Sequence, residues 1–145
     1  MTIHYFDPSA WVKRHFQELG SEAVSALFRA NVSAACCRLG LLEMIATIAR
    51  KGHGESLEAE VVDSLVANVS ADFAAFRNIP VDEPLLVKAA DLTLHHRLRT
   101  MDAIHLAAAL SLQGSGEVVM ISADAELLAA AVNEGLSTLN PSLPP

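Results

Sequence analysis

The chain has little that would suit it to an oxidising or membrane setting. Its only two cysteines, Cys36 and Cys37, are adjacent. Neighbours in sequence make no ordinary structural disulfide, and the pair matches no zinc spacing. They read as small apolar core residues in a reducing compartment. No apolar run reaches the roughly 18 residues needed to span a bilayer. The N-terminal Thr2-Ile3-His4-Tyr5 lacks the basic-then-apolar pattern of a signal region, so a soluble cytoplasmic protein without membrane association is expected. The six histidines contain no His-Glu-x-x-His pattern and no partnering cysteine pair, and His105, in an apolar stretch, reads as a hydrogen-bonded core residue rather than a ligand. No internal repeat, low-complexity segment or composition shift divides the chain, so residues 1–145 are expected to form one domain. With 52% hydrophobic and 19% charged residues, the chain is an ordinary globular one with enough length for a real core.

Positive charge is also scarce. The formal net charge is −7, which looks wrong for a nucleic-acid binder. The distribution says more than the sum. Lys13 and Arg14 follow Asp7; Arg38, Arg50 and Lys51 bracket Glu43; Arg97 and Arg99 precede Asp102; no basic residue lies beyond Arg99. Basic flanks of this kind steer a phosphate backbone locally despite an acidic total, although a solvated charged face is the default for such residues.

Strand and helix signals alternate along the chain. Ile3 to Phe6 is β-prone, and Asp7-Pro8-Ser9 reads as a turn into a helix carried by Trp11, Val12 and Phe16. A second helix starts at Gly20-Ser21-Glu22. Val32 to Ala35 is a strand, and Arg38 to Lys51 a mostly buried helix closed by Gly52. Ser56 caps the next helix, Phe73 to Ile79 is a short strand, and a helix runs from Pro84 to near His96. Met101 to Gln113 is an apolar helix containing one carboxylate. Val118 to Ile121 is continuous and aliphatic, as expected of a buried parallel strand. Ser122-Ala123-Asp124 turns it into a last helix, and Ser137 to Leu139 forms a last strand. This alternation predicts an α/β fold with a parallel sheet and right-handed crossovers.

Four acids stand out. Asp7 and Asp124 each follow a strand, which in a parallel sheet puts them at the carboxyl edge where such sheets bind ligands. Asp102 sits in the first turn of an apolar helix with no Lys or Arg along it; Thr100 as cap and Asp102 as dipole complement would explain it structurally. Glu43 is mid-helix on the face of Leu39, Leu42 and Ala46, so it is no cap; a salt bridge to Arg50 or Arg38 would account for it. If the four converge, they cannot all stay ionised unaided, and an all-oxygen donor set selects Mg²⁺ or Mn²⁺ over zinc or copper. Such a site activates water and neutralises charge developing on a phosphodiester.

The same positions carry a resemblance. Tyr5-Phe6-Asp7-Pro8-Ser9-Ala10-Trp11-Val12-Lys13 resembles the opening of PIN-domain proteins, in particular VapC-type toxins of toxin–antitoxin pairs. Glu43 follows a segment, Ser33 to Leu42, similar to the family's second motif. Leu98-Arg99-Thr100-Met101-Asp102-Ala103-Ile104-His105-Leu106-Ala107 closely resembles the third. Ser122-Ala123-Asp124, with Leu127-Leu128, Gly135-Leu136 and Asn140-Pro141, resembles the C-terminal one. The resemblance implies a three-layer sandwich with a short central parallel sheet flanked by helices. It also implies metal-dependent endoribonuclease activity, with Asp7, Glu43, Asp102 and Asp124 as metal ligands and Ser9 and Ser122 in support. Family members usually form homodimers and are inhibited by an antitoxin whose tail fills the active-site groove. Pro8, where a small polar residue is usual, and Ser122, where threonine is common, depart from the pattern without removing a carboxylate. Lys13, Arg14, Arg38 and Arg99 are the expected RNA-backbone contacts. Trp11, Phe16 and Leu19 could serve an interface or the core, the core being favoured for Trp11.

Three alternatives compete. One is an RNA-processing nuclease of the same fold without an antitoxin. Another is a phosphoacceptor domain using Asp7 as nucleophile, which needs a late Lys this chain lacks. The third is a non-catalytic binding module whose acids are caps and surface charges.

Overall fold

The computed structural model covers residues 1–145. Its elements, in chain order, are β1 (Thr2–Phe6), α1 (Pro8–Trp11) tightening into a 3₁₀ turn (Val12–Arg14), α2 (Ser21–Arg29), β2 (Ser33–Cys37), α3 (Arg38–Gly54), α4 (Ala59–Ala75), β3 (Arg77–Ile79), α5 (Glu83–His96), α6 (Thr100–Leu110), a 3₁₀ turn (Gln113–Ser115), β4 (Glu117–Ile121), α7 (Ala125–Asn133) and β5 (Ser137–Leu139). No helix is long and apolar enough to cross a membrane.

The five strands form one sheet in the order β3-β2-β1-β4-β5, parallel throughout. The expected α/β class, with helices flanking a parallel sheet, is therefore observed. The chain builds outward from β1 to β2 and β3, then returns to the other side of β1 to lay down β4 and β5. That reversal puts a switch point between β1 and β4, and open α/β sheets bind ligands in the crevice beyond the carboxyl ends of strands there. The register Phe6↔Ile121 brings Asp7 and Ser122, the next residue of each strand, side by side. The Asp7 amide donates to the Ile121 carbonyl at 2.9 Å, and the Ser122 amide to the Leu139 carbonyl at 3.2 Å. The ladder thus runs one residue past the strands and fixes the crevice floor.

Strand alternation divides the core. Phe6 meets Phe28 and Phe76, with ring centroids 5.0 and 6.1 Å away, and Trp11 stacks on Phe73 and packs at a tilt against Phe76. Tyr5 faces His105 of α6 instead. Trp11 is fully buried and its indole N–H donates to Asp72 at 3.0 Å, so it belongs to the core, whereas Leu19 is exposed. Both cysteines are free and fully buried.

Several boundaries differ from the sequence expectation. Phe73 is helical rather than extended, because α4 continues to Ala75 so that Phe73 and Phe76 can pack on Trp11. Ser56 does not cap α4: it has a left-handed φ of 52°, and Glu58 is the cap residue. Thr100 is the first residue of α6 and makes no capping bond; Arg99 holds the cap position with no side-chain bond to it. α3 runs beyond Lys51 to Gly54, and Gly52 is buried against Val62, where a Cβ would come within 2.9 Å.

Candidate active site

The crevice is built around Asp7. Its backbone caps α1, but its carboxylate makes no capping bond. Oδ2 instead accepts from the Ser9 hydroxyl and from the Ser122 hydroxyl, the latter at 3.0 Å. The two hydroxyl oxygens are 3.2 Å apart. Ser9 also accepts the Ala123 amide, and Ser122 the Asp124 amide, each at 3.0 Å. This knot ties the start of α1 to the turn before α7. Both supporting serines therefore stand beside Asp7, and the serine at 122 makes the contact without a threonine methyl.

The other three acids enter from three helices. Asp124 caps α7, its Oδ1 accepting the amides of Glu126 and Leu127 at 2.9 and 3.2 Å. Glu43, on α3, is half-buried; its Oε1 lies 2.5 Å from His105 Nε2. The expected salt bridge of Glu43 to Arg50 or Arg38 does not form, and Arg50 instead donates to the Thr47 hydroxyl at 3.2 Å. Asp102, in the first turn of α6, makes no hydrogen bond to the protein. Burial and the carboxylates of Asp7 and Asp124 push its pKa up to about 6, against the opposing pull of His105 and Arg99. Burial is the larger cause, and the part that comes from Asp7 and Asp124 places the three aspartates near one another.

The donor set fits a hard cation. Asp7, Asp124 and Glu43 each have one oxygen held by the protein and the other without a protein donor; Asp102 has both unused. Preorganised carboxylates with spare oxygens, and no sulfur among them, suit Mg²⁺ or Mn²⁺. No three of these acids have oxygens mutually within 4.8 Å. An ion of the Mg²⁺ kind keeps several waters and takes one or two direct carboxylates, so these acids would hold it partly through water. The sulfurs of Cys36 and Cys37 do cluster with His105, but fully buried behind the ring, away from the crevice mouth.

Two hollows flank Ser9. One, of about 280 Å³, is lined by Pro8, Ser9, Glu43, Thr47 and Arg50. The other, of about 490 Å³, is lined by Ser9, Arg99, Ala123, Asp124 and Glu126. Arg99 is thus where the sequence places it, and Arg38 is exposed at the start of α3. Lys13 and Arg14 require correction. Lys13 is 7% exposed and its ammonium donates to Glu18 at 3.0 Å. Arg14 donates to both carboxylate oxygens of Asp72 and lies over the Phe28 ring. Local carboxylates neutralise both charges. Arg50 lines the crevice without being among the backbone contacts expected from the sequence; its place two turns after Glu43 on one helix is the signal that points to it. His105 is the hydrogen-bonded core residue that the sequence suggests, and its partners include Tyr5 and Glu43.

A family model described as the PIN domain matches residues 5–133. Two curated proteins of Mycobacterium tuberculosis, Ribonuclease VapC45 and Ribonuclease VapC49, are each 36% identical over 123 residues, covering 83% of this chain and 84% of theirs. Among solved structures, FitAcB from Neisseria gonorrhoeae is similar with a TM-score of 0.71 at 18% identity, over 95% of this chain and 97% of that one. A toxin-antitoxin complex from Klebsiella pneumoniae is similar with a TM-score of 0.67 at 16% identity, over 95% and 97%. At those identities the two structures speak for the fold.

Proposed function

This chain belongs to the PIN-domain family, and from that premise we propose that it is a metal-dependent endoribonuclease, the toxin of a type II toxin–antitoxin pair, hydrolysing RNA phosphodiesters. The observation that carries the proposal is the crevice between β1 and β4, where acids from four elements keep spare oxygens around an aspartate with no protein donor. Asp7, Asp102 and Asp124 would hold Mg²⁺ or Mn²⁺, with Glu43 joining them or orienting a water. When bound, such an ion would lower the pKa of that water and offset negative charge on the phosphodiester.

The chain's own residues do the rest. Ser9 and Ser122 fix the Asp7 carboxylate so that only Oδ1 is available. The amides at the start of α7 do the same for Asp124. Arg50 and Arg99, one in each hollow, hold the phosphates on either side of the scissile one, with Arg38 further along α3. This gives the strand a path across Ser9. The likeness to a toxin-antitoxin complex supports a protein antitoxin as partner; that it covers the same crevice, and that the chain pairs with a second copy, belong to the proposal. A phosphoacceptor mechanism at Asp7 is disfavoured, because no Lys lies beyond Lys88 and Lys13 is buried against Glu18.

The test is incubation with mixed cellular RNA, with Mn²⁺ or with chelator, mapping the cut ends. Metal-dependent internal cleavage is expected, together with a rise in melting temperature on adding Mn²⁺, since the ion binds the folded state alone. Intact RNA and a melting curve indifferent to metal would instead mark a non-catalytic binding module.

A further inference from the structure

His105 is fully buried in the apolar wall of α6, yet both its ring nitrogens are engaged. Nδ1 lies 2.8 Å from the Tyr5 hydroxyl, and Nε2 lies 2.5 Å from Glu43 Oε1 and 3.9 Å from Asp7 Oδ1. Tyr5 is itself fixed, because its hydroxyl oxygen accepts the Cys37 amide at 3.1 Å. A line of contacts therefore runs from the backbone at the end of β2, through the β1 tyrosine and the α6 histidine, to the α3 glutamate. A carboxylate only accepts, so Nε2 carries a proton directed at Glu43. That holds in either charge state of the ring: Tyr5 donates to Nδ1 of the neutral imidazole or accepts from the imidazolium. Gly40 lets α3 come this close. A Cβ there would lie 2.2 Å from the Cys36 sulfur and 3.6 Å from His105 Cε1.

We propose that His105, locked by Tyr5, is a positioning residue for the metal centre: its Nε2–H holds Glu43 by one oxygen and turns the other toward the crevice. Resting on the reading of the crevice as a metal-dependent active site, this adds a residue outside the acidic set. Neither a backbone amide nor a serine fixes the Glu43 carboxylate, so the imidazole is its sole protein donor. Without the imidazole it sits on a flexible side chain one-third exposed to solvent, and ordering it then costs part of the ion's binding free energy. Partners of this kind behind a ligand typically change metal affinity or activity by roughly 10- to 100-fold.

The experiment compares His105→Gln, which keeps an N–H near the Nε2 position, with His105→Leu, which fills similar space and has none. Each variant and the wild type is titrated with Mn²⁺, followed by thermal shift and, separately, by RNA cleavage. The expected result is a Mn²⁺ midpoint raised about tenfold or more in His105→Leu and within about threefold of wild type in His105→Gln, by both readouts. Tyr5→Phe frees the ring while leaving it in place, and raises the midpoint by a few-fold; it decides the matter should His105→Leu not fold. Equal midpoints for Leu and Gln, or a wild-type midpoint in Tyr5→Phe, overturn the positioning role while leaving the nuclease reading intact. A wild-type protein that neither cleaves RNA nor responds to metal overturns that reading instead.

Discussion

At the scale of single residues, Asp102 is the group under most tension. It has no protein donor, and burial with two neighbouring aspartates lifts its pKa to about 6. A carboxyl group raised above its unfolded value binds its proton more tightly in the folded chain. Metal-free protein therefore loses stability as pH climbs from about 4 to about 6 and stays lower above that. Asp102→Asn removes the penalty. In chelator at neutral pH the variant is expected to melt about 2–4 °C higher than wild type, reflecting about 1 kcal/mol once solvent screening is allowed for, and the gap should close near pH 4. The same variant should lose RNA cleavage; retained metal-dependent turnover would remove Asp102 from the site. Protons and metal compete for these oxygens, so the Mn²⁺ midpoint should rise as pH drops below about 6. Three aspartates are legible in the sequence because a strand end or a helix start fixes where such a residue points. His105 is legible only as a core residue, since its partners Tyr5 and Glu43 are 100 and 62 positions away. For Lys13 and Arg14 the sequence offers Glu18 as a near partner to either; it pairs with Lys13, while the Asp72 that captures Arg14 lies 58 residues on and leaves no local trace.

Among the elements, α3 is set most tightly. Gly40 lies one turn before Glu43, against the Cys36 sulfur at the end of β2. Gly40→Ala must drive the helix or the sulfur away, at about 1–3 kcal/mol for an overpacked core. For a chain of this length that corresponds to a melting temperature lower by roughly 2–4 °C per kcal/mol. Glu43 moves with the helix, so cleavage should fall together with stability; a melt at the wild-type temperature would mean the packing there is slack. The apolar periodicity of α3 and α6 is readable because buried faces leave a regular trace. The boundary between α4 and β3 is not: Phe73 and Phe76 are as suited to a strand as to a helix, and their packing on Trp11 decides it.

For the whole molecule, alternation of strand and helix signals points to the parallel sheet, but not to its order, which depends on how the crossovers return the chain to β1. The order places an acidic crevice between two arginine-lined hollows on a protein of net charge −7. Removing Arg99 or Arg50 should weaken RNA binding across sequences and lower the slope of log affinity against log salt by about 1 for each phosphate no longer neutralised. An unchanged slope would place the strand elsewhere. The two strands that frame the crevice come from opposite ends of the chain, Phe6 pairing with Ile121. A molecule still being translated has Asp7 long before Ser122 can brace it or Asp124 can face it. On the proposed reading, cutting power is expected only once α7 has been made, and a chain stalled between residues 7 and 122 should leave RNA intact.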